Sequence, residues 1–396
     1  MRLSKEQLNA IKEKYGVDEL WSFSRANTYV TSPYCYYLKY IVHQKEDKRD
    51  GIYAESGALV HNILEKFYNH EIKYEDMIEE YELGLSLFNG LDLQYNKTDV
   101  EKNAKIANKY EACIRHFFKN HVVFNQKSAT EQFALTVVGP YVFQGYIDFV
   151  MMNDDGSITI VDFKTSTIYK GDKALKESKQ LLLYAQSLAQ HGVPLEKIHI
   201  QWDFLKYVKV KYLQKNGTWK ERDIERSEIG TKLTSSVKTK LKDAGYSPDE
   251  INQFLEQMVF TNDVKCLPEK IRSQFEITDC LVNITLNQEI LDSLNKELTD
   301  LLKEITKKTN KTAVLMGEKK IDEAEKLWWD DEDHIKSQEY YFYNLCGFSP
   351  EIHKPWGAYL AKKKEEEENK DNVFYDVGSA PQDFSENLDL SWLENF

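Results

Sequence analysis

Two aspartates and a lysine stand where a hairpin would bring them together. Gly145-Tyr146-Ile147-Asp148 leads into an apolar run, Asp154-Asp155-Gly156 reads as a turn, and Ile160-Val161-Asp162-Phe163-Lys164-Thr165 follows. A three-residue loop with Gly156 in the left-handed region sets Asp148 opposite Asp162. Directly opposed Cβ atoms lie about 5 Å apart, so both carboxylates reach one divalent cation. Lys164 shares a face with Asp162, whereas Val161 and Phe163 point the other way. Facing carboxylates repel and raise each other's pKa unless a cation neutralises them. Hard oxygen ligands suit Mg²⁺ or Mn²⁺, which polarise a phosphoryl oxygen and lower the pKa of a bound water, while an ammonium steadies the developing charge. The chemistry this predicts is metal-assisted phosphodiester hydrolysis. For the triplet by itself, an Asp–Lys pair on a solvated strand face is the common alternative.

The elements that must position these groups are legible from periodicity. Ser22 or Ser24 caps a helix running through Arg25, Tyr29 and Tyr36 to about Tyr40, with Pro33 a candidate break. A second helix from Ser56-Gly57 to Tyr68 sets His61 and Glu65 on one face. Strands are predicted over Glu131–Val138, Tyr141–Met152 and Ser157–Lys164. A helix from Lys173 to His191, closed by Gly192 and Pro194, carries Gln180 and Tyr184 one turn apart. Strands near Lys197–Leu205 and Tyr207–Tyr212 follow, the second pairing across Lys215-Asn216-Gly217-Thr218 with Trp219–Ile224. The crossover through the Lys173 helix predicts a parallel pair and hence a mixed sheet flanked by helices. The expected organisation is N-terminal helices with the His motif over 1–70, a helical insertion over 71–127, the sheet core over 128–224, a mostly helical region over 225–360, and an acidic tail over 361–396. Ile284 to Ile305 form an apolar stripe, which is more often packing surface than site.

Composition narrows the classes. The formal net charge of −13 argues against a generic nucleic-acid coat. Its distribution is uneven, however: Ile160 to Lys220 holds eleven lysines against five acids, and Ala361 to Phe396 four against ten. Lys170, Lys173, Lys206 and Lys209 are candidate phosphate contacts, with Trp202 and Tyr207 as candidate stacking partners. The acidic, apolar tail is a candidate docking segment for a protein partner, with a docked terminal element as the plainer reading. Five cysteines without a C-x-x-C pair argue against a zinc knuckle and predict reduced, mostly buried thiols. No apolar run spans a membrane and no signal segment opens the chain, so a soluble cytoplasmic protein is expected.

In order along the chain, Ser22-Phe23-Ser24-Arg25, Ser32-Pro33-Tyr34-Cys35, Gly57-Ala58-Leu59-Val60-His61, Glu131, Gly145-Tyr146-Ile147-Asp148, Asp162-Phe163-Lys164-Thr165 and Gln180-x-x-x-Tyr184 resemble the RecB-type branch of the PD-(D/E)xK nuclease superfamily. This branch includes RecB/AddB-like nuclease domains and CRISPR-associated RecB-like exonucleases. The resemblance spans about Trp21 to Tyr212. It implies an α/β, restriction-endonuclease-like core and a Mg²⁺- or Mn²⁺-dependent deoxyribonuclease. Asp148, Asp162, His61 and the Phe163 carbonyl would hold metal, Lys164 would be the catalytic lysine, and Glu131 would orient the attacking water. Gln180, Tyr184, Ser24 and Arg25 would contact DNA or support the site. The dispersed late cysteines speak against an iron–sulfur cluster of the kind many relatives carry, and the absence of a G-x-x-x-x-G-K-[ST] loop against a built-in motor. The reading is a freestanding, phage-type exonuclease of recombination, repair or replication, acting on single strands or ends. Phage-encoded, it would work in the host cytoplasm. A nicking or structure-specific endonuclease, and an idle nuclease-like binding protein, are the alternatives.

Overall fold

A computed structural model describes residues 3–48, 51–96, 99–214 and 216–374, the last six by backbone alone. The expected tail is therefore seen only to residue 374, and the rest of it lies outside the described residues. The chain divides into two compact units, one made of Met1–Leu20, Ile52–Val137 and Val142–Leu294, the other of Trp21–Gly51, Val138–Tyr141 and Asn295–Phe396.

The first unit is built on a six-stranded mixed sheet of β1 (Lys127–Val138), β2 (Tyr141–Met152), β3 (Ile158–Lys164), β4 (Ile198–Leu213), β5 (Trp219–Glu225) and β6 (Phe275–Asn283). The strands run in the order β1-β2-β3-β4-β5, with β6 also paired to β4. The hairpin closes as its sequence predicts. Met152 pairs with Ile158, the Asn153 amide donates to the Ser157 carbonyl at 2.8 Å, and Gly156 takes φ 75. Parallel pairing of β3 with β4 runs from Ile158↔Ile198 to Lys164↔Phe204, with the Gly171–Gln190 helix between them. Two features depart from the sequence reading. β4 is one sixteen-residue strand rather than two, because its first half pairs with β3 and its second half with β5. β6 rises inside the mostly helical stretch, where pairing with β4 decides the conformation.

One face of the sheet is covered by the helices Ile52–Tyr68, Asp76–Gly90 and Val100–Asn120. Their apolar faces share a core with strand residues, in which Val60, Ile63, Tyr81 and Phe117 meet Phe149, Val161, Phe163 and Leu205. The charged 71–127 stretch is thus solvated on one side and core on the other. A Cβ at Gly84 would stand 2.2 Å from Leu59, so glycine permits this helix pair to close. A second cluster joins Val208, Val210 and Phe275 to the helices Ile229–Asp243 and Pro248–Thr261 through Leu233, Val237 and Met258.

In the second unit the expected long helix is broken. Ser22 caps Phe23–Thr31, and Ser32 then accepts the Cys35 amide at 3.0 Å to cap a new start at Pro33. Trp328, fully buried, stacks on Tyr36 and meets Tyr29 edge-on. The Ser32 hydroxyl donates to Asp330 at 2.7 Å, with His353 3.3 Å from the same carboxylate. The predicted apolar stripe falls mostly on the Gln288–Gly317 helix, which begins only after Ile284 and Leu286, and in this unit its Leu298, Leu302 and Ile305 are buried. No helix among the described residues is long and apolar enough to cross a membrane.

Candidate active site

Adjacent strands deliver the two carboxylates. The Phe149↔Val161 pairing, carried one residue further, sets Asp148 against Asp162. Burial and the facing Asp162 charge hold Asp148 well above the usual carboxylate range. Lys164 Nζ lies 2.6 Å from Asp162 Oδ2. Burial opposes the ammonium charge, but the Asp162 carboxylate prevails and raises the Lys164 pKa. His61 enters from the Ile52–Tyr68 helix, with Nε2 2.8 Å from the Phe163 carbonyl and Nδ1 3.3 Å from Asp148 Oδ2. Burial pushes the imidazole down despite Asp162, favouring the neutral form that ligates metals. Glu131, within β1, sits at φ 47, a left-handed conformation that is costly for a non-glycine residue. Its charge adds a small push on both His61 and Asp148.

The ligand types gathered here suit a divalent cation. Asp148 Oδ2 is buried without a hydrogen-bond partner and faces a second carboxylate. The two carboxylates and the carbonyl are the hard oxygen ligands Mg²⁺ and Mn²⁺ prefer, and His61 adds a borderline imidazole nitrogen.

Gln180 and Tyr184 stand behind this cluster on the Gly171–Gln190 helix. The Gln180 amide donates to the Tyr184 hydroxyl at 2.8 Å. Tyr184 is buried, and burial, with a smaller push from Asp148 and Asp162, takes its phenol up to about 12. A Cβ at Gly145 would sit 2.6 Å from the Tyr184 ring, so the glycine of Gly145-Tyr146-Ile147-Asp148 makes room for the tyrosine. Ser24 and Arg25 belong to the second unit. There Ser24 is exposed, and the Arg25 guanidinium lies 4.1 Å over Trp21 and donates to the Tyr36 hydroxyl.

Part of the predicted phosphate-binding patch is corrected. Trp202 is buried, Lys206 turns onto the Tyr110 ring at 5.2 Å, and Lys209 donates to the Leu281 carbonyl at 3.1 Å. These side chains are occupied within the unit because β4 is an interior strand. Lys170 and Lys173, at the start of the Gly171–Gln190 helix, remain exposed.

A second acidic group escaped the sequence reading. His121, Asp203 and Asp279 are buried and offer ligand atoms within 4.8 Å of one another. Asp279 accepts from His121 Nδ1 and the Val122 amide, both at 3.0 Å, and from the buried Arg226 guanidinium. Although burial opposes it, the His121 hydrogen bond and Arg226 hold Asp279 down at about 2. Asp203 is completely buried, neither oxygen has a hydrogen-bond partner, and burial takes its pKa to about 8. Nothing local announces this group, since its members lie 158 positions apart between His121 and Asp279.

A mixed sheet flanked by helices, with opposed aspartates and a lysine two residues beyond the second, defines the restriction-endonuclease-like α/β class. Residues 20–313 match the family model described as the PD-(D/E)XK nuclease superfamily, and the chain belongs to that superfamily. Membership implies a phosphodiester hydrolase that uses a divalent metal. No curated protein matches the sequence.

Proposed function

We propose that the chain is a Mg²⁺- or Mn²⁺-dependent deoxyribonuclease of the RecB-type branch, acting as an exonuclease in recombination, repair or replication. The observation that carries the reading is the opposition of Asp148 and Asp162 with Lys164 Nζ 2.6 Å from the latter. Asp148, Asp162, His61 and the Phe163 carbonyl would hold the metal. When bound, it supplies Lewis-acid polarisation of the scissile phosphate and eases deprotonation of the attacking water. Lys164 places a fixed ammonium where negative charge develops on the phosphoryl oxygens, and Glu131 orients the water. Gln180 and Tyr184 brace β2 behind Asp148, and exposed Lys170 and Lys173 offer phosphate contacts. Ser24 and Arg25 are assigned to DNA binding on the resemblance alone.

The test is degradation of end-labelled linear DNA and of circular single-stranded DNA, each with and without Mn²⁺. Metal-dependent loss of the linear substrate with the circle intact is expected, and Asp162→Asn should abolish it. Cutting of the circle would make the enzyme an endonuclease. Near wild-type cleavage by Asp162→Asn at saturating Mn²⁺ would remove the metal role of the hairpin.

A further inference from the structure

Cys35 and Cys346, 311 positions apart in sequence, place their sulfurs 3.6 Å from each other inside the second unit. The remaining cysteines have other neighbours. Cys113 donates to Ser227 at 3.3 Å, Cys266 faces the Phe254 carbonyl, and Cys280 faces Asp223. We propose that Cys35 and Cys346 form a reversible disulfide that staples the C-terminal segment of this unit to its N-terminal segment.

The sulfurs are already in van der Waals contact, and closing to a bond of about 2.05 Å needs a displacement of roughly 1.5 Å. The backbone holds the approach. Cys35 is fixed in Pro33–Tyr36 by the Ser32 cap, and the carbonyl of Gly347, next to Cys346, accepts from the amides of Asp47 and Lys48, each at 3.1 Å. Both thiols are buried, yet Cys346 lies outside any helix or strand beside Leu345, which is 57% exposed, so opening that short segment admits a small oxidant. Because Cys346 sits in the segment that opens while Cys35 is held in the capped Pro33–Tyr36 turn, Cys346 is the thiol that meets the oxidant first. With a low-molecular-weight disulfide as oxidant, the Cys346 thiolate attacks one of its sulfurs and expels a thiolate. Cys35, losing its proton, then displaces the second thiol from the mixed disulfide. The protein loses two protons and two electrons, and the oxidant takes them up to become two thiols.

The experiment incubates the full chain with oxidised glutathione, both at room temperature and just below the unfolding midpoint where local opening is frequent. Free thiols are then alkylated under denaturing conditions, and the protein is digested without reductant. A Cys35–Cys346 cross-linked peptide is expected, lighter by two hydrogens than the reduced pair and lost on adding dithiothreitol. The unfolding midpoint should rise by on the order of 5 °C, because the bridge closes a very long loop. Cys35→Ser and Cys346→Ser should each lose both effects. Full alkylation of both thiols after oxidation, a cross-link joining other cysteines, or a glutathione adduct that stays on Cys346 would overturn the proposal. The wild-type peptide map decides this even if a serine variant fails to fold.

Discussion

At the scale of single residues, Lys164 and Asp203 show two fates of a buried charge. Lys164 keeps its proton because Asp162 lies 2.6 Å away, so its charge is available to the reaction rather than lost to burial. Lys164→Ala should therefore leave Mn²⁺ binding intact by calorimetry while single-turnover cleavage falls by about two orders of magnitude or more. Lost metal binding with unchanged cleavage would contradict that role. Asp203 has no such partner, and its pKa rises to about 8 from an unfolded value near 4. Between these limits the folded state binds a proton that the unfolded state lacks, so stability falls as pH rises from about 4 to about 8. The slope this residue can add is at most about 1.4 kcal/mol per pH unit. Asp279, held at about 2, works in the opposite sense and only in acid. Asp203→Asn should flatten the decline between pH 5 and 8 and leave the protein more stable than wild type at pH 8, as urea titrations would read. An unchanged pH profile would mean that Asp203 is not the titrating group.

At the scale of elements, the hairpin and the helix behind it form one device. The turn sequence Asp154-Asp155-Gly156 fixes the register, and the register alone decides that Asp148 meets Asp162 rather than a residue of the other face. The Gly171–Gln190 helix then packs Tyr184 against the bare backbone of Gly145. Gly145→Ala should force the ring away and cost about 1–3 kcal/mol, as overpacking does. The same substitution in a Tyr184→Ala background should cost much less. A double-mutant cycle with no coupling between the two positions would sink this account. Both elements were readable because their signals are local: turn chemistry for one, an i,i+4 pair and a Gly-Pro stop for the other. The Phe275–Asn283 strand had no comparable signal, since its conformation depends on pairing with a strand some seventy residues earlier.

At the scale of the whole molecule, a net charge of −13 coexists with a basic stretch that begins at the site. Binding to DNA should weaken steeply with salt, and replacing Lys170 and Lys173 with alanine should lower the slope of log K against log salt by up to about 2. A slope that is flat in the wild type, or unchanged in the double variant, would move the phosphate contacts elsewhere. By itself the sequence determined what short-range chemistry can encode. It placed the hairpin with its opposed aspartates, the lysine on their face, the parallel crossover, His61 on a helix, and the Gln180–Tyr184 pair. Only the tertiary structure decided which lysines stay exposed, because Lys206 and Lys209 are claimed by Tyr110 and Leu281 from distant segments. It alone assembled His121, Asp203, Asp279 and Arg226, and it alone brought Cys35 to Cys346. These contacts join residues far apart along the chain, and their energies come from burial and desolvation, which exist only once the segments have packed.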